Sequence, residues 1–270
     1  MSIKDITPDA LREYVQKHHE NAYVLLDVRQ PHEYQMGHIP GARLMPLPDL
    51  VRTMNMLPAE KELIVYCRSG GRSMAAAAML EEEGFSASIY NLAGGMLRWD
   101  GAELEDFPRV SLFAGHSLAD MFEMAMNLEK GAQLFYEAVG RDYASQDWSA
   151  TFERLSKAEI AHARTVHKRW QRIDAGIEAF DTLYEGLSGE VIEGGMSLEE
   201  ASKKAAGVEK DACLRLIEMA LQIEYAAFDL YRTLADQGDS EEGREAFIKL
   251  AQAEKAHMQS LIDAIDGCGA

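Results

Sequence analysis

AEIAH at residues 158–162 recurs as AEKAH at residues 253–257. A longer pattern repeats around it at one offset. Glu129, Glu159 and His162 return as Glu224, Glu254 and His257, each 95 positions later (224 − 129, 254 − 159, 257 − 162). Met124/Met219, Ala125/Ala220, Tyr136/Tyr231, Phe152/Phe247 and Leu155/Leu250 keep the same register without a gap. Apolar residues at three- and four-residue spacing flank each acid. Phe122, Ala125, Ala132, Tyr136 and Val139 surround Glu129, and Ile217, Ala220, Ala227, Tyr231 and Leu234 surround Glu224. This period predicts four long helices, over 117–142, 148–175, 208–236 and 241–266, with each acid and each histidine on the stripe to be buried. Two short connections and one long one describe a four-helix bundle with a single crossover. In the long connection Ser197 is expected to cap a short helix, with Glu200 in the capping-box position.

Burying an unpaired carboxylate costs on the order of several kcal/mol, or forces the group to take up a proton. Two divalent cations would remove that cost for all four acids at once. The Glu-x-x-His spacing puts carboxylate and imidazole on one helix face. Four carboxylates against two divalent ions leave a neutral site. Glu129, Glu159, His162, Glu224, Glu254 and His257 are therefore the candidate metal ligands. Tyr136 and Tyr231 follow their acids by seven residues, roughly 10 Å along the axis. They read either as core aromatics or as hydrogen-bond donors and redox relays. His167 lies off the face of His162 and is expected at the surface.

On these motifs, residues 117–270 resemble the ferritin-like superfamily, of the rubrerythrin type. The resemblance implies an all-α ferritin-like bundle with a non-haem di-iron centre. Two Fe ions are the implied cofactor, and Mn also suits oxygen and imidazole donors. The implied chemistry is reduction of peroxide or oxygen, or oxidation of a sulfur substrate, with an electron donor that the sequence does not name. A homodimer is expected of bundles of this type. Two features depart from the pattern. Ala227 stands where rubrerythrins typically carry an extra Glu, and the C-terminal rubredoxin module with its Cys-x-x-Cys pairs is missing.

The first hundred residues follow a different rhythm. YVLLDV (23–28) and ELIVYC (62–67) are apolar runs of strand length, as in strands covered on both faces. SASIYNL (86–92) reads as a further strand. TPDALREYVQKH, with Thr7 as cap and Pro8 in the first turn, and RSMAAAAMLEEEG, ended by Gly84, read as helices. The alternation predicts an α/β domain, a parallel sheet flanked by helices. Pro108 and Gly115 punctuate the stretch that follows. The expected division is a first domain over 1–105, a linker over 106–116 and the helical domain over 117–270.

Between the second strand and its helix stands Cys67-Arg68-Ser69-Gly70-Gly71-Arg72-Ser73. Such a loop can turn its backbone N–H groups toward one point, and the helix N-terminus adds positive potential. A thiol there is expected to ionise readily and act as a nucleophile. Together with LLDVRQPHEYQMGHIPGA (25–42) and NLAGGMLRWDG (91–101), this loop makes residues 1–105 resemble a single-domain rhodanese. The resemblance implies a sulfurtransferase that carries sulfane sulfur as a persulfide on Cys67. The implied donor is thiosulfate or a persulfide, and the implied acceptor is a thiol or cyanide. Arg72 joins Cys67 as a catalytic candidate, and Arg68, Ser69, Gly70, Gly71 and Ser73 as the substrate cradle. Asp27, Arg29, Glu33 and His38 are expected to brace the loop. An alternative function is a redox or iron sensor in which the metal state controls the thiol, and another is iron binding or detoxification.

The chain of 270 residues is 47% hydrophobic and carries a net charge of −18. Lys and Arg number 10 against 15 acids up to residue 105, and 17 against 30 after it. Acidity without a basic cluster argues against a nucleic-acid partner. No apolar run of membrane-spanning length is present, and the N-terminus has no signal-peptide core. Three cysteines make no disulfide framework, so a reducing cytoplasm is expected. Cys213 is expected in the core. Cys268 is expected in a mobile tail, passive or receiving sulfur from Cys67.

Overall fold

Tyr23–Asp27 (β2) and Glu62–Tyr66 (β4) pair in parallel at the centre of a five-stranded sheet. Lys4–Ile6 (β1), Arg43–Leu44 (β3) and Ile89–Leu92 (β5) complete it, in the order β1-β5-β4-β2-β3, with every pairing parallel. Side chains alternate between two apolar layers. Val24, Leu26, Leu63 and Val65 face one way, against Ala76, Ala77 and Leu80 of helix α4 (Gly71–Glu82). Tyr23, Leu25, Ile64 and Tyr66 face the other, against Leu11 of α1 (Pro8–Lys17) and Tyr34 of α2 (Pro31–Gln35). This two-sided burial explains why the strands are apolar throughout rather than alternating. Thr7 accepts from Ala10 N at the start of α1, as its position predicts. Leu50 of the short α3 (Leu50–Thr53) joins the first of these layers.

The structure, a computed structural model, describes residues 3–85, 88–238 and 240–269. Ser86 and Ala87 of the expected SASIYNL strand lie outside the described residues. Two compact units divide at Phe107/Pro108.

In the second unit, α5 (Leu118–Asp142) lies along α6 (Ser149–Ile173), and α9 (Ala212–Gln237) along α10 (Glu241–Ile265), with α6 also against α10. Ser117 starts α5 with a reciprocal pair of bonds to Asp120, and Ser240 caps α10. The connection from α6 to α9 holds α7 (Phe180–Gly186), α8 (Leu198–Ala206) and a short 3-10 turn, Glu193–Gly195. It crosses α5 so closely that a Cβ on Gly131 would stand 2.3 Å from the Val191 carbonyl oxygen. Asn127, one turn earlier, accepts from Gly189 N. No helix among the described residues is long and apolar enough to cross a membrane.

Four expectations need correction here. Val110–Leu112 of the expected linker form a 3-10 turn, and Phe113 is buried edge-on against Phe247. The apolar residues of that stretch give it a place in the second core, and only its Pro and Gly suggested a linker. His167 is buried, 3% exposed, with Nε2 on the Glu178 carbonyl and its ring edge-on to Phe180. Helix α7 folds over that side of α6, which the period of α6 alone does not show. Glu200 forms only half of a capping box: Ser197 accepts from its N–H, while its carboxylate pairs with Lys204. Cys268 is bonded to Cys213, with Cα atoms 5.4 Å apart. The end of α10 returns beside the start of α9, so the 3-10 turn Asp266–Gly269 is packed rather than loose.

Candidate functional site

Cys67 is the first residue beyond β4, and it is 1% exposed. The strand pairing ends with the bond from Val28 N to Tyr66 O, and the chain then curls around the sulfur. Gly70, at φ 98°, makes that curl possible, since a side chain is strained in the left-handed region. Gly70 N donates to Cys67 Sγ at 3.1 Å, and the Ser73 hydroxyl lies at 3.4 Å. Ser73 Oγ is also 2.6 Å from Asn91 Oδ1, and Asn91 is oriented by its bond to Asp5. The Gly70 carbonyl oxygen lies 3.1 Å from the same hydroxyl, so its single proton is divided among Asn91, Gly70 O and the sulfur. Burial pushes the thiol up, but hydrogen bonds from the Ser73 hydroxyl and from the Ser73, Ser69 and Gly70 backbone outweigh it, and the net shift is downward. The loop favours the thiolate, which is the nucleophilic form.

The segment after β5 holds this loop from below. Met96 N donates to Cys67 O and Leu97 N to Arg68 O. A Cβ on Gly95 would stand 2.2 Å from Cys67 O, so only glycine permits this approach. The Arg72 guanidinium is committed: its two terminal nitrogens donate to both Glu33 oxygens, at 2.6 and 2.7 Å. The Arg72 guanidinium, with help from Gln30 N and against burial, holds the Glu33 carboxyl down at about 2. Arg72 therefore ties α4 to α2 and brings little uncompensated charge to the sulfur. Asp27 and Arg29 form a buried pair, and Arg29 also donates to Gly37 O. His38 stacks on Tyr34 behind them. Arg68, Ser69 and Gly71 are exposed on the rim, and Ser73 is buried. A groove of about 480 Å³ runs beside the loop, lined by Arg68, Glu33, His32, Met96 and Leu97.

The model of the rhodanese-like domain matches residues 10–102. The putative sulfurtransferase YtwF of Bacillus subtilis is 39% identical over 101 residues, 37% of this chain and 94% of that protein. The chain belongs to the rhodanese-like family. A sulfurtransferase of Allochromatium vinosum is 37% identical over 76 residues, 28% of this chain and 70% of that protein. Among solved structures, a rhodanese-like domain protein from Staphylococcus aureus is 28% identical, with a TM-score of 0.35, covering 38% of this chain and 99% of that one. The residues matched by the family model fall in the first unit, the rhodanese-like domain.

The second unit brings all six repeated side chains to one point. His162 Nδ1 lies 3.2 Å from Glu129, 3.0 Å from Glu159 and 3.4 Å from Glu254. His257 Nδ1 lies 3.1 Å from Glu224, 3.3 Å from Glu159 and 3.2 Å from Glu254. Glu159 and Glu254 thus face both imidazoles, while Glu129 and Glu224 face one each. The rings stack with centroids 4.7 Å apart. The tyrosines cross over: Tyr136 donates to Glu224 at 2.5 Å and Tyr231 to Glu129 at 2.6 Å. Both are therefore donors to candidate ligands as well as core aromatics.

These residues fit a pair of cations. All four carboxylates are fully buried, and neither oxygen of Glu159 or of Glu254 has a hydrogen-bond partner. Without metal, protons do the balancing. Burial, opposed by the neighbouring histidine, raises Glu129 to about 7 and Glu224 to about 8. His162 and His257, although burial opposes it, are held charged by the carboxylates around them. Those two charges in turn keep Glu159 and Glu254 below the usual range against burial. One acid of the cluster carries no sign in the repeat. Glu193, from the 3-10 turn, is buried beside Glu129, Glu159 and Glu254. Its only signal in the sequence is an acid within VIEGGM, next to two glycines.

Ser73→Ala removes a donor that favours the thiolate, so Cys67 ionises at higher pH. Its alkylation by iodoacetamide at pH 7 should slow several-fold, with the midpoint of the pH profile moved upward. An unchanged profile would mean that the backbone donors alone set the thiol. The metal-free helical unit should lose stability as pH rises. Glu129 and Glu224 titrate higher folded than unfolded, so their contribution falls as pH rises from about 4.5 through 7 and 8. The raised histidines add to that fall above about 6.5. The chelator-treated protein should lose on the order of a few kcal/mol between pH 5.5 and 8. Metal should cancel the loss, because it displaces the same protons. A metal-free thermal transition that stays level or rises with pH would contradict this.

Proposed function

We propose that the chain is a sulfurtransferase joined to a two-metal redox centre. The Cys67 thiolate attacks the outer sulfur of thiosulfate or of a persulfide. A new S–S bond to Cys67 forms as the donor's S–S bond breaks, and sulfite or a thiolate leaves. An acceptor thiolate then attacks the sulfur on Cys67 and carries it away, which restores the Cys67 thiolate. The Gly70 and Ser73 donors hold negative charge at Sγ in the resting thiolate and when it is restored as the sulfur leaves. Arg68 lines the groove on the exposed rim and is the cation we assign to an anionic donor. Arg72, paired with Glu33, positions the loop. The cytoplasm is the compartment we assign, since Cys67 must be a thiol between transfers; the Cys213–Cys268 bond runs against a reducing compartment.

For the helical unit, we propose a ferritin-like, rubrerythrin-type bundle that holds two Fe ions, with Mn as the other metal suited to this donor set. Glu129 with His162 would hold one ion, Glu224 with His257 the other, and Glu159 and Glu254 would be shared. A bound pair would supply redox chemistry for reduction of peroxide or oxygen, with the electrons coming from an external donor. Tyr136 and Tyr231 orient the terminal carboxylates. The surrounding apolar layers exclude water from them. The observation that carries this reading is the set of fully buried carboxylate oxygens without hydrogen-bond partners, facing two imidazoles.

Two variants test the assignment in opposite directions. Cys67→Ser should abolish transfer from thiosulfate to cyanide or to a thiol and leave two metal ions per chain. Glu159→Ala combined with Glu254→Ala should abolish metal uptake and leave sulfur transfer near its full rate. Transfer surviving in the first variant would move the sulfur chemistry to another residue. Undiminished metal in the second would remove the cluster from the metal site.

A further inference from the structure

We infer that Glu193 is a seventh metal ligand, given by the α6–α9 connection to the Glu129–His162 half of the cluster only, so that the two ion positions are chemically different. This rests on the two-metal reading above. Glu193 is 1% exposed, and one of its carboxylate oxygens lies with those of Glu129, Glu159 and Glu254 inside a sphere of mutual distances no greater than 4.8 Å. That group includes Glu129 and omits its repeat mate Glu224. Glu193 Oε2 has no hydrogen-bond partner, and Oε1 accepts from Tyr231 at 2.8 Å. Tyr231 has one proton and also faces Glu129 Oε1, so the two carboxylates compete for a single donor. A buried acid this poor in donors is costly unless a cation compensates it.

The backbone around Glu193 is built to hold it there. The connection is tight against α5 at Gly131, where a Cβ would meet Val191 O at 2.3 Å. It is equally tight against α9 at Gly194, φ 75°, where a Cβ would meet the Ala226 methyl at 2.5 Å. Glycines on both sides let the chain pass between the two helices and present Glu193 beside the acids they carry. The repeat supplies no counterpart. Every other acid and imidazole of the cluster has a mate 95 positions away, but the same offset from Glu193 (193 − 95) gives Arg98, in the first unit. Five carboxylates against two divalent ions leave one negative charge, localised on the Glu129 side. That side should bind a divalent ion more tightly and favour the more highly charged state of a redox metal.

The test is an anaerobic titration of the metal-free full chain with Mn(II), followed by electron paramagnetic resonance and by the thermal transition of the helical unit. The wild type should bind two ions with unequal affinities. Glu193→Gln keeps an acceptor for Tyr231 at the same length. It should still bind two ions, with the tighter affinity weakened ten-fold or more and the weaker one unchanged. Its metal-free form should melt higher than wild type, because a buried acid is gone, and it should gain less on metal addition. Unchanged affinities and spectra in Glu193→Gln would overturn the inference while leaving the two-metal reading intact. Equal weakening at both positions, or a lower metal-free melting temperature with normal binding, would make Glu193 a packing residue and overturn it too. A wild type that takes up no pair of ions would remove the two-metal reading itself and this inference with it.

Discussion

Burial of four carboxylates around two imidazoles is the constraint on which the helical unit depends. The apolar layers of α5, α6, α9 and α10 can close only if the charge between them is balanced. Geometry divides the work. Glu159 and Glu254 each face both histidines, and Glu129 and Glu224 are each fixed from the opposite helix by a tyrosine. The tyrosine bonds are the cross-ties between α5 and α9. Orientation of these candidate ligands and helix packing are therefore one arrangement, and a change at Tyr136 or Tyr231 acts on both.

The rhodanese-like domain solves a different problem, how to keep a buried sulfur charged. It does so with neutral donors. The Gly70 N–H and the Ser73 hydroxyl face Cys67, while the nearby arginines are spent on structure, Arg29 on Asp27 and Arg72 on Glu33. Because hydrogen-bond donors have short range, the backbone of the loop must be held closely. Gly95, pressed against Cys67 O, does this. The NLAGGMLRWDG segment is thus part of the site without touching the sulfur.

Much of this was legible in the sequence because periodicity and spacing are direct records of burial. The strands at 23–28 and 62–67, the four long helices and the convergence of six ligand-type residues all follow from that record. What escaped lies where tertiary contacts have no period. Glu193 sits in an irregular turn outside the repeat, and only its flanking glycines betray a close approach. His167 is off the buried stripe of α6 and is covered by α7. Phe113 is in a stretch read as linker from its Pro and Gly. The Cys213–Cys268 pair joins two helix ends whose proximity depends on how α9 and α10 pair. Arg72 is a catalytic candidate by its place in the loop, whereas its guanidinium pairs with Glu33, 39 positions away.

The most direct measurement is anomalous diffraction at the iron or manganese edge from crystals of the full chain grown with that metal under anaerobic conditions. Two peaks per chain are expected between α5, α6, α9 and α10. Each should touch one Glu-x-x-His histidine through Nδ1, and Glu159 and Glu254 should be shared between them. A single peak, or peaks confined to exposed acids with His162 and His257 still bonded to the carboxylates, would contradict it.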